Sequence, residues 1–118
     1  MIGPVRDRAT FEALRRRGRR VRRGPVTVVY LPAQAPPPRA AFAIGRSVGN
    51  AVVRNRVRRR LRSVLHDMDA GRLGGPSLAP GTYLLSTRPG VVTLSYADLA
   101  GLVSSACAAV VEDREGSR

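Results

Sequence analysis

The stretch from Asn50 to Arg62 limits most severely what this chain can become. It reads Asn-Ala-Val-Val-Arg-Asn-Arg-Val-Arg-Arg-Arg-Leu-Arg, and at about 3.6 residues per turn it divides into two faces. Val53, Val57, Leu61, Val64, Leu65 and Met68 recur at helical spacing and form one apolar stripe. Asn55, Arg56, Arg58, Arg59 and Arg62 project from the other half, with Arg54 and Arg60 flanking the stripe. Asn50 is a predicted N-cap, because its short side chain can accept from a free amide of the first turn. Solvated helices intersperse Glu one turn from their Arg or Lys, and none occurs between Asn50 and Arg62. A helix docked by its apolar side would therefore present guanidinium groups that repel one another until a polyanion arrives. Nucleic acid is the natural polyanion.

The charge distribution says which part of the chain meets it. Formal net charge is +13 over 118 residues. Residues 1–62 hold 17 Arg against two acidic residues, Asp7 and Glu12, whereas residues 63–118 hold four Arg against six. Every basic residue is Arg, whose planar fork suits bidentate phosphate contact and stacking on bases. Cys107 and His66 are each solitary, which excludes an internal disulfide and a cysteine cluster for zinc. No apolar run approaches the ~18 residues of a transmembrane span, and the N-terminus lacks the apolar segment of a secretory signal. A cytoplasmic chain without membrane association is expected.

At this length one domain is expected, residues 1–118, with an ordered core over about 6–111 and a flexible polar tail over 112–118. Asp7 is placed to cap a short helix over Arg8–Arg17 that ends at Gly18. The basic run Arg15–Arg23 leaves this helix and is read as a nucleic-acid-facing surface rather than a targeting signal. Residues 25–31 are β-rich and bounded by Gly24 and Pro32, hence a strand. A proline-rich connector leads to a second strand over 39–46, and Arg20–Arg23 forms a further short strand ahead of them. Three successive strands favour an antiparallel meander. The Arg helix runs over about 50–69 and stops at Gly71, followed by a loop over 71–80 and a strand over 81–87. The last helix is opened by a capping-box-like pair, Ser95 and Asp98, with Leu94 positioned to staple to Leu99. The fold expected is α+β, a two-layer sandwich in which three helices cover one face of a small mixed four-stranded sheet, in the order α-β-β-β-α-β-α.

The segment Gly49–Arg62, with its Arg-Asn-Arg core, resembles the signature of the bacterial ribonuclease P protein family. Phe11 with Arg17-Gly18 is similar to that family's first helix and its glycine exit. Ile44-Gly45-Arg46 resembles the strand that feeds the signature helix, and Arg88-Pro89 resembles the pair that follows the last strand. The resemblance extends from Arg6 to about Val111. It implies a left-handed strand–helix–strand crossover, against the common rule. It also implies a subunit of a ribonucleoprotein endonuclease, in which a catalytic RNA with bound Mg²⁺ removes the 5′ leader of precursor tRNA. The protein would supply no catalytic residue and no metal ligand, and would need no obligate protein partner. By the same resemblance Arg46, Asn50, Arg54, Asn55, Arg56, Arg58, Arg59 and Arg62 would meet the catalytic RNA and tRNA, Arg56 helping to orient the helix end. Phe11, Arg15, Arg17 and Val29 would line a cleft for the single-stranded leader. Arg15 and Val29 stand where the family often has aromatics, and Ser47 replaces one of a frequent basic pair, so the cleft is expected to hold its strand more by charge than by stacking.

Three other classes fit less well. A basic RNA-binding protein of ribosomal type matches the composition and is separated only by the register of the motif. A DNA-reading helix would mix Asn, Gln, Ser and Thr among its arginines. A self-sufficient nuclease needs clustered carboxylates or histidines, whereas the acids here are spread along the chain, in the tail, at Asp67 and Asp69, and singly at Asp7, Glu12 and Asp98.

Overall fold

The computed structural model describes residues 2–33, 35–75 and 77–116. The first helix, α1 (Arg8–Arg17), starts where predicted: Asp7 Oδ2 accepts from the Thr10 amide at 3.0 Å. It ends as the Gly18 amide donates to the Leu14 carbonyl at 3.0 Å. Gly18 is needed here for room rather than for a left-handed turn, since its φ is −70°. A Cβ at this position would run into the Leu14 carbonyl oxygen and Val29 Cγ1. The chain then forms a hairpin of β2 (Arg19–Arg23) and β3 (Val26–Pro32), turning at Gly24 with φ +57°.

After the proline-rich connector come β4 (Arg39–Ala43), a 3-10 turn over Arg46–Val48, and the long helix α2 (Ala51–Asp69). Next are β5 (Gly81–Thr87), a second 3-10 turn over Pro89–Thr93, and α3 (Tyr96–Gly116). A two-residue strand, β1 (Gly3–Pro4), completes a five-stranded mixed sheet in the order β1-β4-β5-β3-β2. Both α+β class and three helices agree with the sequence. The fifth strand is new: Gly3 and Pro4 carry no hydrophobic periodicity, and only the parallel pairing with Arg39 and Ala40 makes them a strand.

The meander is replaced by a mixed topology. β3 pairs antiparallel with β2 and β5, while β4 lies parallel to β5 and is joined to it through α2. The connector from Pro32 to Pro38 is too long and too proline-rich for a tight hairpin, so β5 occupies the place beside β3 that a meander would give to β4. β4 also ends at Ala43, earlier than expected, because the chain turns off at Gly45 toward α2. At the other end α3 continues through Gly116 instead of giving way at residue 112 to a tail; residues 117 and 118 lie outside the described residues.

The expected single helical layer is also amended. On one face α2 and α3 bury Leu61, Val64, Leu65, Leu99, Val103 and Val110 against Val26, Val28, Tyr83 and Leu85. Tyr30 and Tyr83 stack at 4.9 Å on this face, and their hydroxyls donate to the Pro80 and Ala79 carbonyls. Strand alternation points Val29, Leu84 and Ala41 to the opposite face. There α1 lies against β3, with Leu14 fully buried and Val29 beneath the helix exit at Gly18. One helix thus covers part of the second face and leaves the rest open.

Candidate nucleic-acid interface

α2 docks through the stripe the sequence marks. Val57, Leu61, Val64, Leu65 and Met68 are buried, and Val53 packs at the margin. The helix opens on Asn50, whose Oδ1 accepts from the Val53 amide at 3.0 Å. Gly49 precedes it at φ +157°, and a Cβ there would approach Val53 Cβ to 2.8 Å, so the entry to the helix requires glycine. Asn50 is therefore first a structural cap.

Of the predicted contact residues, Asn55, Arg56, Arg59 and Arg62 are exposed along α2, and Arg46 is exposed on the 3-10 turn before it. Arg58 is half-buried and donates to Asn55 Oδ1 at 2.8 Å, which ties these two side chains together on the surface. Arg54 is half-buried, and its Nε is shielded from solvent with no hydrogen-bond partner among the described residues. Arg60 does something different. Its guanidinium donates to the Leu94 carbonyl at 2.6 Å and holds the segment before α3 against α2. None of the three described ion pairs, Arg16–Glu12, Arg39–Asp7 and Arg72–Asp67, uses an arginine of the α2 array.

At the C-terminal end of α2 the Tyr96 hydroxyl donates to Asp67 Oδ2 at 2.6 Å, and Arg72 donates to Asp67 Oδ1 at 3.1 Å. These bonds hold the Asp67 carboxyl below its usual range, the Tyr96 hydrogen bond contributing most. Desolvation, then Asp67, pushes the Tyr96 phenol up to about 12. Cys107 lies on the buried side of α3, and burial pushes its thiol up to about 12.

Predicted cleft residues fare unequally. Arg15 and Arg17 are exposed on α1, and Phe11 is half-buried. Phe11 lines a groove of about 440 Å³ beside β1 and β4, together with Phe42, Arg62 and His66. The Arg62 guanidinium lies 5.5 Å from the centre of the Phe42 ring, a cation–π distance. Phe11 and α2 are thereby brought to one groove, with Phe42 as an aromatic that the sequence does not single out. Val29 is a correction: it is only 5 % exposed beneath α1 and is not available to a ligand. Its neighbour on the same face, Thr27, is the more accessible position on that strand.

Register extends this open area across the sheet. Arg22 pairs with Thr27, Thr27 with Ser86, and Ser86 with Ala43, so these four residues form one row on the face that α1 only partly covers. Arg22 and Ala43 are exposed, and Thr27 and Ser86 are half-buried. The row is a shallow floor of small and hydroxyl side chains beside α1. A two-residue alternation in β3 would have pointed to Thr27, but no single-strand signal places Ser86 or Ala43 next to it.

Among the described residues no group of three or more His, Cys, Asp or Glu is placed to hold a metal ion, and no helix is long and apolar enough to cross a membrane.

Residues 4–110 match the family model described as Ribonuclease P. The ribonuclease P protein component of Thermobifida fusca is 37 % identical over 126 residues, covering 97 % of this chain and 82 % of the relative. That of Acidothermus cellulolyticus is 43 % identical over 101 residues, covering 81 % and 78 %. Among solved structures, the RNase P protein of Staphylococcus aureus superposes with a TM-score of 0.71 at 14 % identity, covering 92 % of each chain. The RNase P protein from Thermotoga maritima superposes with a TM-score of 0.73 at the same identity, covering 88 % of this chain and 94 % of that one.

Proposed function

The chain belongs to the ribonuclease P protein component family, and from that premise we propose how its surfaces divide the work of tRNA 5′ maturation. It is the protein subunit of the ribonucleoprotein ribonuclease P. The exposed guanidinium array of α2 binds the catalytic RNA, Arg56, Arg59 and Arg62 engaging phosphates while Arg58 and Asn55 act as a tied pair. The cleft beside α1, with Phe11 and Arg15, takes the single-stranded leader of precursor tRNA. Stacking on an aromatic and attraction to arginine are the two means by which single strands are held.

The hydrolytic chemistry belongs to the RNA. Mg²⁺ takes near-octahedral oxygen ligands, and the α2 face offers guanidinium groups instead. Asp67, one of two half-buried carboxylates at the C-terminal end of α2, is already engaged by Tyr96 and Arg72. A Mg²⁺ ion that activated water for phosphodiester cleavage would then be held by the RNA, and this chain would orient the leader and screen phosphate repulsion. The complex acts in the cytoplasm.

The observation that carries this reading is the pairing of a buried stripe with a cationic face on one helix. Adding the purified chain to a bacterial ribonuclease P RNA at low Mg²⁺ tests it. Leader removal should appear only with both components, and the Arg56→Ala/Arg59→Ala/Arg62→Ala variant should restore much less of it while melting like the parent. Cleavage by the protein alone, or full activity of the triple variant, overturns the division of labour.

A further inference from the structure

The aromatic side chains of the chain are two Phe and three Tyr. Tyr30 and Tyr83 are buried in the core, and Phe11 and Phe42 are half-buried at the groove beside β1 and β4. Tyr96, the first residue of α3, is the exposed one, at 38 %. Its position is nonetheless fixed. Arg60 of α2 donates to the Leu94 carbonyl at 2.6 Å, two residues before it. Ser95 caps the helix start, its hydroxyl accepting from the Asp98 amide at 3.0 Å. The Tyr96 hydroxyl donates to Asp67 Oδ2 at 2.6 Å, and Arg72 holds the other oxygen of that carboxylate. With the hydroxyl engaged, what Tyr96 still offers solvent is its ring. A side chain already held this way has little rotamer freedom left to lose on binding.

The ring lies on a flank of the arginine helix. Arg56, Arg60, Ser63 and Asp67 follow one another at three- and four-residue steps and so share one side of α2. Tyr96 meets that side at Asp67. Arg59, exposed one turn before Ser63, borders it. Asp67, the carboxylate on this flank, is paired with Arg72 and does not turn a polyanion away.

We infer that the Tyr96 ring is a stacking platform for an unpaired base of the catalytic RNA, beside the phosphates held by the α2 arginines. This rests on the reading of α2 above and adds a base contact to attraction for phosphate. A flat ring fixed beside a row of guanidinium groups suits unpaired nucleotides, aromatic to the base and cation to the backbone. Bases inside a duplex are stacked on their neighbours, so the platform selects a bulged, looped or terminal nucleotide.

The chain contains no Trp, so Tyr96→Trp places a single indole at the platform. Titrating this variant with a bacterial ribonuclease P RNA at about 0.1 M salt should quench the indole emission as a base stacks on it. Tyr96→Leu removes the ring and should bind that RNA roughly 5- to 100-fold more weakly, the loss expected of one base–aromatic stack. Its log–log salt slope should match the parent's, because no phosphate contact is removed. Tyr96→Phe keeps the ring and should recover most of the affinity while melting below the parent. Both variants lose the Asp67 hydrogen bond, so the difference between them reads the ring alone. Indole emission indifferent to RNA, or Tyr96→Leu binding as tightly as Tyr96→Phe, overturns the platform. A loss accompanied by a flattened salt slope also overturns it, since the arginine array has then been disturbed instead of the ring. Quenching that waits for precursor tRNA moves the contact to the substrate and overturns the assignment to the catalytic RNA. The Arg56→Ala/Arg59→Ala/Arg62→Ala variant separates this inference from the one beneath it: if it binds the RNA as the parent does, the α2 reading fails and the platform with it.

Discussion

Arg54 sits on the boundary between the buried and the exposed sides of α2. Its Nε is desolvated without an acceptor among the described residues, and a buried polar group left unpaired costs about 1–3 kcal/mol. A chain selected only for stability would place an apolar residue there. Arg54→Met keeps the stem and removes the unpaired group, so it should raise the melting temperature of the free protein. If Arg54 serves RNA, the same variant should bind ribonuclease P RNA more weakly, by a filter or mobility-shift titration. A variant that melts lower, or binds unchanged, would show that Arg54 has another partner or another role. Cys107 illustrates the opposite case, a reactive residue type made inert. It is 3 % exposed among apolar neighbours, and burial pushes its thiol up to about 12. Thiolate is the reactive form, so a thiol reagent at pH 8 should fail to label the native chain and should label it rapidly in denaturant. Fast native labelling would mean that α3 opens locally.

At the scale of elements, the seam between α2 and α3 is held partly by charge. Asp67 accepts from Tyr96 at the start of α3 and from Arg72 just beyond α2. Its folded pKa lies below the unfolded value of about 3.9, so its contribution is present above that value and fades as pH falls through the folded pKa. Tyr96 runs the other way: its pKa is raised to about 12, so its share is full below the unfolded value of about 10 and fades as pH rises toward 12. Asp67→Asn should therefore melt below the parent at pH 7, with the gap closing toward pH 3; a gap that does not change with pH would rule out this bond as its source. The same elements show how far sequence reaches. α1, α2 and the start of α3 are legible because caps and periodicity are local: Asp7, Asn50 and Ser95 each accept from the amide three residues on. Sheet order is not legible, because nothing within 39–43 distinguishes pairing with β3 from pairing with β5. Val29 escapes a sequence reading for the same reason. Its burial is fixed by α1 crossing over it, and one strand's alternation cannot say which half of a face a helix covers. Phe42 goes unmarked because it joins Phe11 and Arg62 only at the groove beside β4.

For the whole molecule, the two arginine surfaces lie on different parts of a body measuring 38 × 33 × 26 Å. α2 and β4 hold one, and β2 with the end of α1 holds the other. The Debye length is about 8 Å near 0.15 M salt and about 30 Å near 0.01 M. At low salt each arginine therefore senses nearly all the others, and at higher salt only its own cluster. A net charge of +13 opposes the compact state through that repulsion, whereas RNA binding draws on the same charges by releasing counterions. Salt should then move two measurements in opposite directions. Between about 10 and 150 mM monovalent salt, the free protein's melting temperature should rise as repulsion is screened. RNA affinity should fall, by roughly 10³–10⁵-fold between 50 and 200 mM if some 6–10 phosphates are neutralised. Adding RNA at low salt should raise the melting temperature by more than salt alone does, because the ligand binds only the folded arrangement of those charges. A free protein that loses stability on adding salt would mean that its arginines are held by internal carboxylates, and an RNA affinity indifferent to salt would mean that binding is not through phosphates. Either result would remove the physical basis for an arginine face that is poorly suited to the free chain and well suited to the complex.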